Sequence, residues 1–111
     1  MSRTLKDQAV IVGIGQTEFS KNSGRSELQL AAECVRDAIL DAGLKPTDIA
    51  GFSTLTLDAS DEIEVARSVG CGDFTFYSQV NYGGGAALGI VHHCAMAVAT
   101  GSAKYAVGYR A

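Results

Sequence analysis

The pattern of hydrophobic positions along the chain predicts alternating strands and helices. The first apolar run, at positions 8–14, is continuous and rich in β-branched residues, which is typical of a strand buried on both faces. Further strands are predicted near 50–57, 74–80 and 104–110. Strands covered on both faces require helices on either side of the sheet, so the pattern favours an α/β fold with a mostly parallel sheet.

Three segments have the spacing of helices: 26–42, 61–69 and 84–100. The first is the most clearly delimited, because Ser26 and Gln29 have the spacing of a capping box, and Gly43 stands where a helix needs a left-handed residue. The third is apolar nearly all round and ends at Gly101. We therefore expect it to be a helix buried on most of its sides.

Composition narrows the class of protein. With 47% hydrophobic and 19% charged residues, the 111-residue chain can form one small core, and its net charge of −3 counts against a nucleic-acid partner. The longest uncharged stretch is too rich in glycine and histidine for a membrane span, and the first ten residues lack a secretory signal. Three widely spaced cysteines predict reduced thiols in a cytoplasmic protein, and no metal-ligand spacing is present.

Glycine is enriched, with 13 residues in the chain, and two clusters carry candidate chemistry. Gly13 and Gly15 follow the first predicted strand, as in a dinucleotide-binding fingerprint. That fingerprint requires a third glycine at position 18, where Glu18 stands. We therefore interpret this cluster as a tight turn at the end of a strand and disfavour a nucleotide-binding domain.

The second cluster, Gly83 to Gly85, lies between a predicted strand and a predicted helix. Backbone N–H groups there can approach a ligand closely, and the start of a helix favours negative charge. Together with Tyr82, we predict a substrate-binding site formed by Tyr82, Gly83, Gly84 and Gly85. The alternatives are close helix packing for the glycines and an aromatic wedge for the tyrosine. We interpret His92, His93, Cys34 and Cys94 as packed residues rather than ligands or nucleophiles. Cys71 is expected in an accessible loop, where the neighbouring Asp73 disfavours a thiolate, so we do not expect a nucleophile there either.

An ordered series of segments resembles the thiolase superfamily, of the sterol-carrier-protein x and lipid-transfer type. The resemblance begins with Ala9-Val10-Ile11-Val12-Gly13-Ile14-Gly15-Gln16-Thr17-Glu18-Phe19 and continues through the first helix, Asp48–Phe52 and Thr100–Val107. It implies that residues 1–111 are the N-terminal segment of a thiolase-like layered α/β/α domain, with the C-terminal half outside this chain.

One departure from the thiolase pattern bears on the reaction. The position of the nucleophilic cysteine is taken by Gly84, which cannot carry an acyl group, so the segment resembles the cysteine-less branch of the superfamily. That branch implies an aldolase that cleaves a β-hydroxyacyl-CoA during steroid or cholesterol side-chain degradation, releasing a ketosteroid and propionyl-CoA. The expected substrate is a CoA thioester, with no cofactor and with acid and base residues that these 111 positions do not identify. The alternative is a non-catalytic acyl-CoA carrier, lipid-transfer protein or scaffold.

The resemblance also implies partners. Thiolase-like proteins typically form homodimers through the strand before the buried helix, which here is 74–80. This strand has three aromatic residues and no charge, so it would make a poor exposed edge. The alternative is that a neighbour within the same chain covers it. A further partner with an OB-fold and zinc-ribbon architecture is implied by the resemblance alone.

Overall fold

The computed structural model describes residues 7–18, 24–55, 62–81 and 86–110. Its elements are α1 (Glu27–Asp41), a short 3-10 helix (Pro46–Asp48), β1 (Gly51–Leu55), α2 (Glu62–Val69), β2 (Phe76–Val80), α3 (Ala86–Ala99) and β3 (Ala106–Gly108). All three predicted helices and the last three predicted strands are therefore confirmed, with strands shorter than expected.

The three strands form one parallel sheet in the order β2-β1-β3. Every residue of the central strand β1 is buried. Helix α3 packs against all three strands, while α2 packs on β1 and α1 packs on α2. A parallel sheet whose central strand is buried on both faces is the architecture predicted from the apolar runs.

The larger core lies on the side of the sheet that faces α1 and α2. Phe52 is fully buried there, stacked on Phe74 at 5.2 Å between ring centroids and edge-on to Tyr109 at 6.3 Å. Val35 of α1 and Val65 of α2 belong to the same buried cluster. These side chains join the two helices to the central strand.

The ends of α1 follow the predicted signals. The Ser26 hydroxyl accepts a hydrogen bond from the backbone N–H of Gln29 at 3.1 Å, which satisfies one of the free donors of the first turn. Gly43 follows the helix with φ of +73°, a conformation that glycine adopts without the steric cost other residues meet. Local sequence therefore determines where this helix begins and ends.

The strand predicted at 8–14 is wrong. Residues 9–18 have no regular structure, and Val10, Ile11 and Ile14 are 81%, 75% and 75% exposed. The segment lies along α1, where the Ile14 N–H donates to Asp41 Oδ2 at 2.9 Å. The described sheet contains only β2, β1 and β3, and the run pairs with none of them.

Helix α3 is buried on the side that faces the sheet, where Ile90 is 4% and Ala97 is 1% exposed. On the opposite side Leu88 and Val91 are exposed, so the expectation of a helix buried on most of its sides is wrong, and only the sheet-facing side is buried. An apolar sequence alone does not distinguish a helix packed on one side from one packed on several. Within the described ranges, no helix is both long and apolar enough to cross a membrane.

Candidate functional site

The predicted substrate-binding residues connect β2 to α3. Strand β2 ends at Val80 and helix α3 begins at Ala86, and the intervening Tyr82, Gly83, Gly84 and Gly85 lie outside the described residues. Their roles therefore stay predictions. The flanking elements place this connection at the carboxyl edge of a parallel sheet, which is where α/β folds usually bind ligands.

Glycines let α3 approach the sheet closely beside this connection. A Cβ atom on Gly89 would lie 3.4 Å from a methyl carbon of Val80, and one on Gly108 would lie 2.6 Å from Cγ2 of Ile90. The second distance is too short for any side chain unless Ile90 moves. Small residues on both elements therefore bring the first turns of α3 directly over the ends of the strands.

A hydroxyl–imidazole pair joins β2 to α3. The Ser78 Oγ is hydrogen-bonded to Nδ1 of His93, and both side chains are half-buried. The packed, hydrogen-bonded interpretation is therefore confirmed for His93. The same interpretation is wrong for His92, which is exposed. Adjacent residues of a helix project to different sides, so His92 does not face the sheet as His93 does.

Sequence reasoning missed Ser78. Its position in β2 gave a usable signal, because alternate residues of a strand share a face and Ser78 lies between the half-buried Phe76 and Val80. A hydroxyl on the covered face of a strand needs a partner from the helix packed on that face. A histidine in the following helix is a suitable partner.

A second hydroxyl on the same sheet face has no partner. Ser53 is fully buried, and its Oγ forms no hydrogen bond within the part of the chain that the structure describes. Ser53 pairs in register with Ser78, so the two side chains leave the sheet on the same side. The adjacent Thr54 points the other way and donates from Oγ1 to the carbonyl oxygen of Tyr109 at 3.2 Å.

The three cysteines are free thiols, as expected. Burial raises the pKa of Cys71 and of Cys94 to about 11, and it also raises the pKa of Cys34. A thiol with a raised pKa is mostly protonated at neutral pH and is a poor nucleophile. For Cys71 the cause is burial rather than the neighbouring Asp73 carboxylate that the sequence suggested.

The glycines of the incomplete dinucleotide fingerprint contact a helix. A Cβ on Gly13 would lie 2.4 Å from the Ala38 carbonyl oxygen, and one on Gly15 would lie 2.2 Å from the Cys34 carbonyl oxygen. Their lack of a side chain lets the N-terminal segment lie against α1. The predicted turn at the end of a strand is absent, since no strand forms here.

A shallow groove lies between α2 and the loop that precedes β2, lined in part by Ile63, Arg67, Cys71 and Phe74. Over the described ranges, no group of three or more His, Cys, Asp or Glu side chains could hold a metal ion.

The fold is that of a thiolase-like α/β layer. A monomeric SCP2-thiolase-like protein type 1 from Mycobacterium smegmatis superposes with a TM-score of 0.74 over 90% of this chain and 22% of its own, at 22% identity. That likeness concerns the fold. No protein-family model matches the chain.

Its sequence relatives are steroid side-chain aldolases. The chain is 63% identical over 107 residues to a 17-hydroxy-3-oxo-4-pregnene-20-carboxyl-CoA lyase of Mycobacterium tuberculosis and 62% identical to a steroid side-chain-cleaving aldolase of Thermomonospora curvata. A solved Ltp2-ChsH2(DUF35) aldolase matches at 63% identity and a TM-score of 0.88, over 91% of this chain and 26% of its own. The 107 aligned residues are 96% of this chain but only 28% and 27% of the two relatives, in their N-terminal part.

Proposed function

We propose that this chain forms the N-terminal part of a carbon–carbon lyase that shortens steroid side chains carried as CoA thioesters. The observation that carries the proposal is the 63% identity, over 96% of the chain, to a 17-hydroxy-3-oxo-4-pregnene-20-carboxyl-CoA lyase. The expected substrate is a β-hydroxyacyl-CoA of this type, as met in cholesterol side-chain degradation. The products are a ketosteroid and propionyl-CoA.

The proposed retro-aldol step needs no covalent carrier. A base removes the hydroxyl proton, the bond between the carbinol carbon and the α-carbon breaks, and its electron pair enters the thioester as an enolate. Protonation of the α-carbon then gives propionyl-CoA. The first turn of α3 supplies electrostatic stabilisation for the enolate, because the N-terminus of a helix carries partial positive charge. Gly84, in place of a cysteine, leaves room for the bulky substrate.

We assign substrate binding to Tyr82, Gly83, Gly84 and Gly85 and no base to this segment. The described neighbours support the placement of the site, since α3 begins beyond the carboxyl end of β2 and glycines bring it close to the sheet. None of the three thiols competes as a nucleophile, because burial raises the pKa of each.

We also propose assembly through β2. This strand is at one end of the described sheet and pairs only with β1 there, and Tyr77 is 65% exposed. Antiparallel pairing with the β2 strand of a second copy would satisfy the open backbone groups of this edge. The name of the Ltp2-ChsH2(DUF35) aldolase pairs two proteins, which supports a further partner subunit, expected to have OB-fold and zinc-ribbon architecture. We place the assembly in the cytoplasm, where free thiols persist.

Retro-aldol turnover of the full-length protein with its partner subunit tests the proposed activity. We expect release of ketosteroid and propionyl-CoA from the 17-hydroxy C20-carboxyl-CoA steroid, monitored by mass spectrometry. Gly84→Val should abolish turnover by filling the space for the thioester, whereas the smaller Gly84→Ala should retain part of it. Undiminished turnover in Gly84→Val would place the site elsewhere. Tight binding of the acyl-CoA without cleavage by the wild type would instead favour the non-catalytic carrier.

A further inference from the structure

We propose that Ser78 and His93 are a positioning pair that fixes helix α3 along strand β2 and thereby sets where the start of α3 lies relative to the end of β2. What the turn binds rests on the proposed function, whereas the fixing of the helix does not. The pair is formed by a side-chain hydrogen bond between Ser78 of β2 and His93 of α3. It closes the chain around the β2–α3 connection, which runs from Asn81 to Gly85.

Apolar contacts also join α3 to the sheet. Ile90 packs on Gly108, where a Cβ would lie 2.6 Å from its Cγ2, and Gly89 lies beside Val80 at ordinary contact distance. Such packing holds the helix on the sheet but is not directional. A hydrogen bond depends strongly on distance and angle, and it therefore selects one axial position of α3.

The pair acts at a distance from the proposed site. His93 follows the first residue of α3 by two helical turns, which is about 10 Å along the axis at the usual rise per residue. Its imidazole therefore does not touch a ligand held at the start of the helix. The effect passes through the helix, which moves as a rigid element, so Ser78 and His93 are positioning residues.

The buried hydroxyl of Ser53 supports this interpretation. Ser53 and Ser78 are register partners on the sheet face that α3 covers; Ser78 is bonded to the helix, whereas the Ser53 hydroxyl has no hydrogen-bond partner among the described residues. Polar groups on a covered face oppose packing unless they are paired. On this face the Ser53 hydroxyl therefore lowers stability, whereas the Ser78–His93 hydrogen bond aligns the helix with the strand.

Hydrogen exchange in the full-length protein provides the direct test. Ser78→Ala and His93→Leu should each accelerate exchange of the amides at 90–95, which are hydrogen-bonded within the helix, by about tenfold, the effect of losing one net hydrogen bond. Leucine favours helices more than histidine does, so faster exchange in His93→Leu would not come from helix propensity. His93→Asn keeps a polar atom near the position of Nδ1 and should exchange like the wild type. The matched control is His92→Leu on the exposed side, which should also leave exchange unchanged.

Kinetics and a double variant separate positioning from a general loss of stability. Ser78→Ala and His93→Leu should lower kcat of the retro-aldol reaction about tenfold and change KM less than threefold, because a displaced helix start stabilises the enolate less well. The double variant should be no worse than either single one, since both remove the same bond. His93→Asn should recover most of kcat.

The outcomes distinguish this proposal from the proposed function. Unchanged exchange at 90–95 in both Ser78→Ala and His93→Leu would overturn the positioning pair, whatever the activity of the protein. Additive losses of kcat in the double variant would also overturn it. If the wild type cleaves no acyl-CoA but exchange responds as expected, the proposed function fails and the positioning pair stands.

Discussion

Two adjacent residues of the central strand should respond to loss of a hydroxyl with opposite signs. Ser53 and Thr54 are both fully buried, but the Ser53 hydroxyl has no partner in the described structure, whereas Thr54 donates to the Tyr109 carbonyl. A buried hydroxyl without a partner costs about 1–3 kcal/mol. Ser53→Ala removes that cost and leaves an atom-sized void, worth a few tenths of a kcal/mol at about 24 cal/mol per Å³. We therefore expect the variant to raise the free energy of unfolding by about 1 kcal/mol.

Thr54→Val is the matched comparison, because it keeps the volume and branching of the side chain and removes only the donor to Tyr109. It should lower the free energy of unfolding by about 1 kcal/mol. Urea denaturation of the wild type and both variants measures the two changes, with equal m-values showing that the unfolded states are comparable. A loss of stability in Ser53→Ala as large as that in Thr54→Val would refute the reasoning, since it would mean that Ser53 is paired.

Three further predictions follow from other parts of the chain. Gly15→Ala should displace the N-terminal segment from α1 and expose it to limited proteolysis, because a Cβ there would lie 2.2 Å from a carbonyl oxygen, whereas Gly72→Ala meets ordinary contact distances and should not. Burial raises the pKa of Cys71 and Cys94 from 9.0 to about 11, so between these pH values the thiols ionise in the unfolded chain but not in the folded one. The free energy of unfolding, measured by urea denaturation, should therefore fall as the pH rises from 9 towards 11. Unchanged stability over that range would contradict burial of the thiols. Tyr77→Asp should convert a dimer to monomers in sedimentation of the full-length protein, and an unchanged dimer would remove β2 from the interface.

Local signals in the sequence predicted most of the fold. The Ser26 cap and the glycine after α1 act within one or two turns, so the residues that decide them are neighbours in the sequence. The first strand failed for the opposite reason. Positions 8–14 have the composition of a buried strand, but a place in the sheet depends on pairing with strands far along the chain, which the composition of the run does not encode.

The candidate site shows the same limit. Composition and spacing directed attention to the glycines at 83–85, and the class of relatives agrees with the resemblance on which that prediction drew. The Ser78–His93 pair was not predicted, because its prediction requires the face of a strand and the face of a helix to be known together. Likewise, the missing partner of Ser53 depends on packing that no local pattern encodes.

The strand order also has a consequence for how the chain is made. β1 is the centre of the sheet but the first of the three strands to be synthesised, and its neighbours follow only after α2 and after α3. At ordinary rates of translation the interval before β3 emerges is on the order of seconds. During that time an apolar strand has one or both edges open. The central strand of the sheet is therefore synthesised before both of its neighbours. Nascent chains that stall before β3 should be the species that chaperones bind and that aggregate.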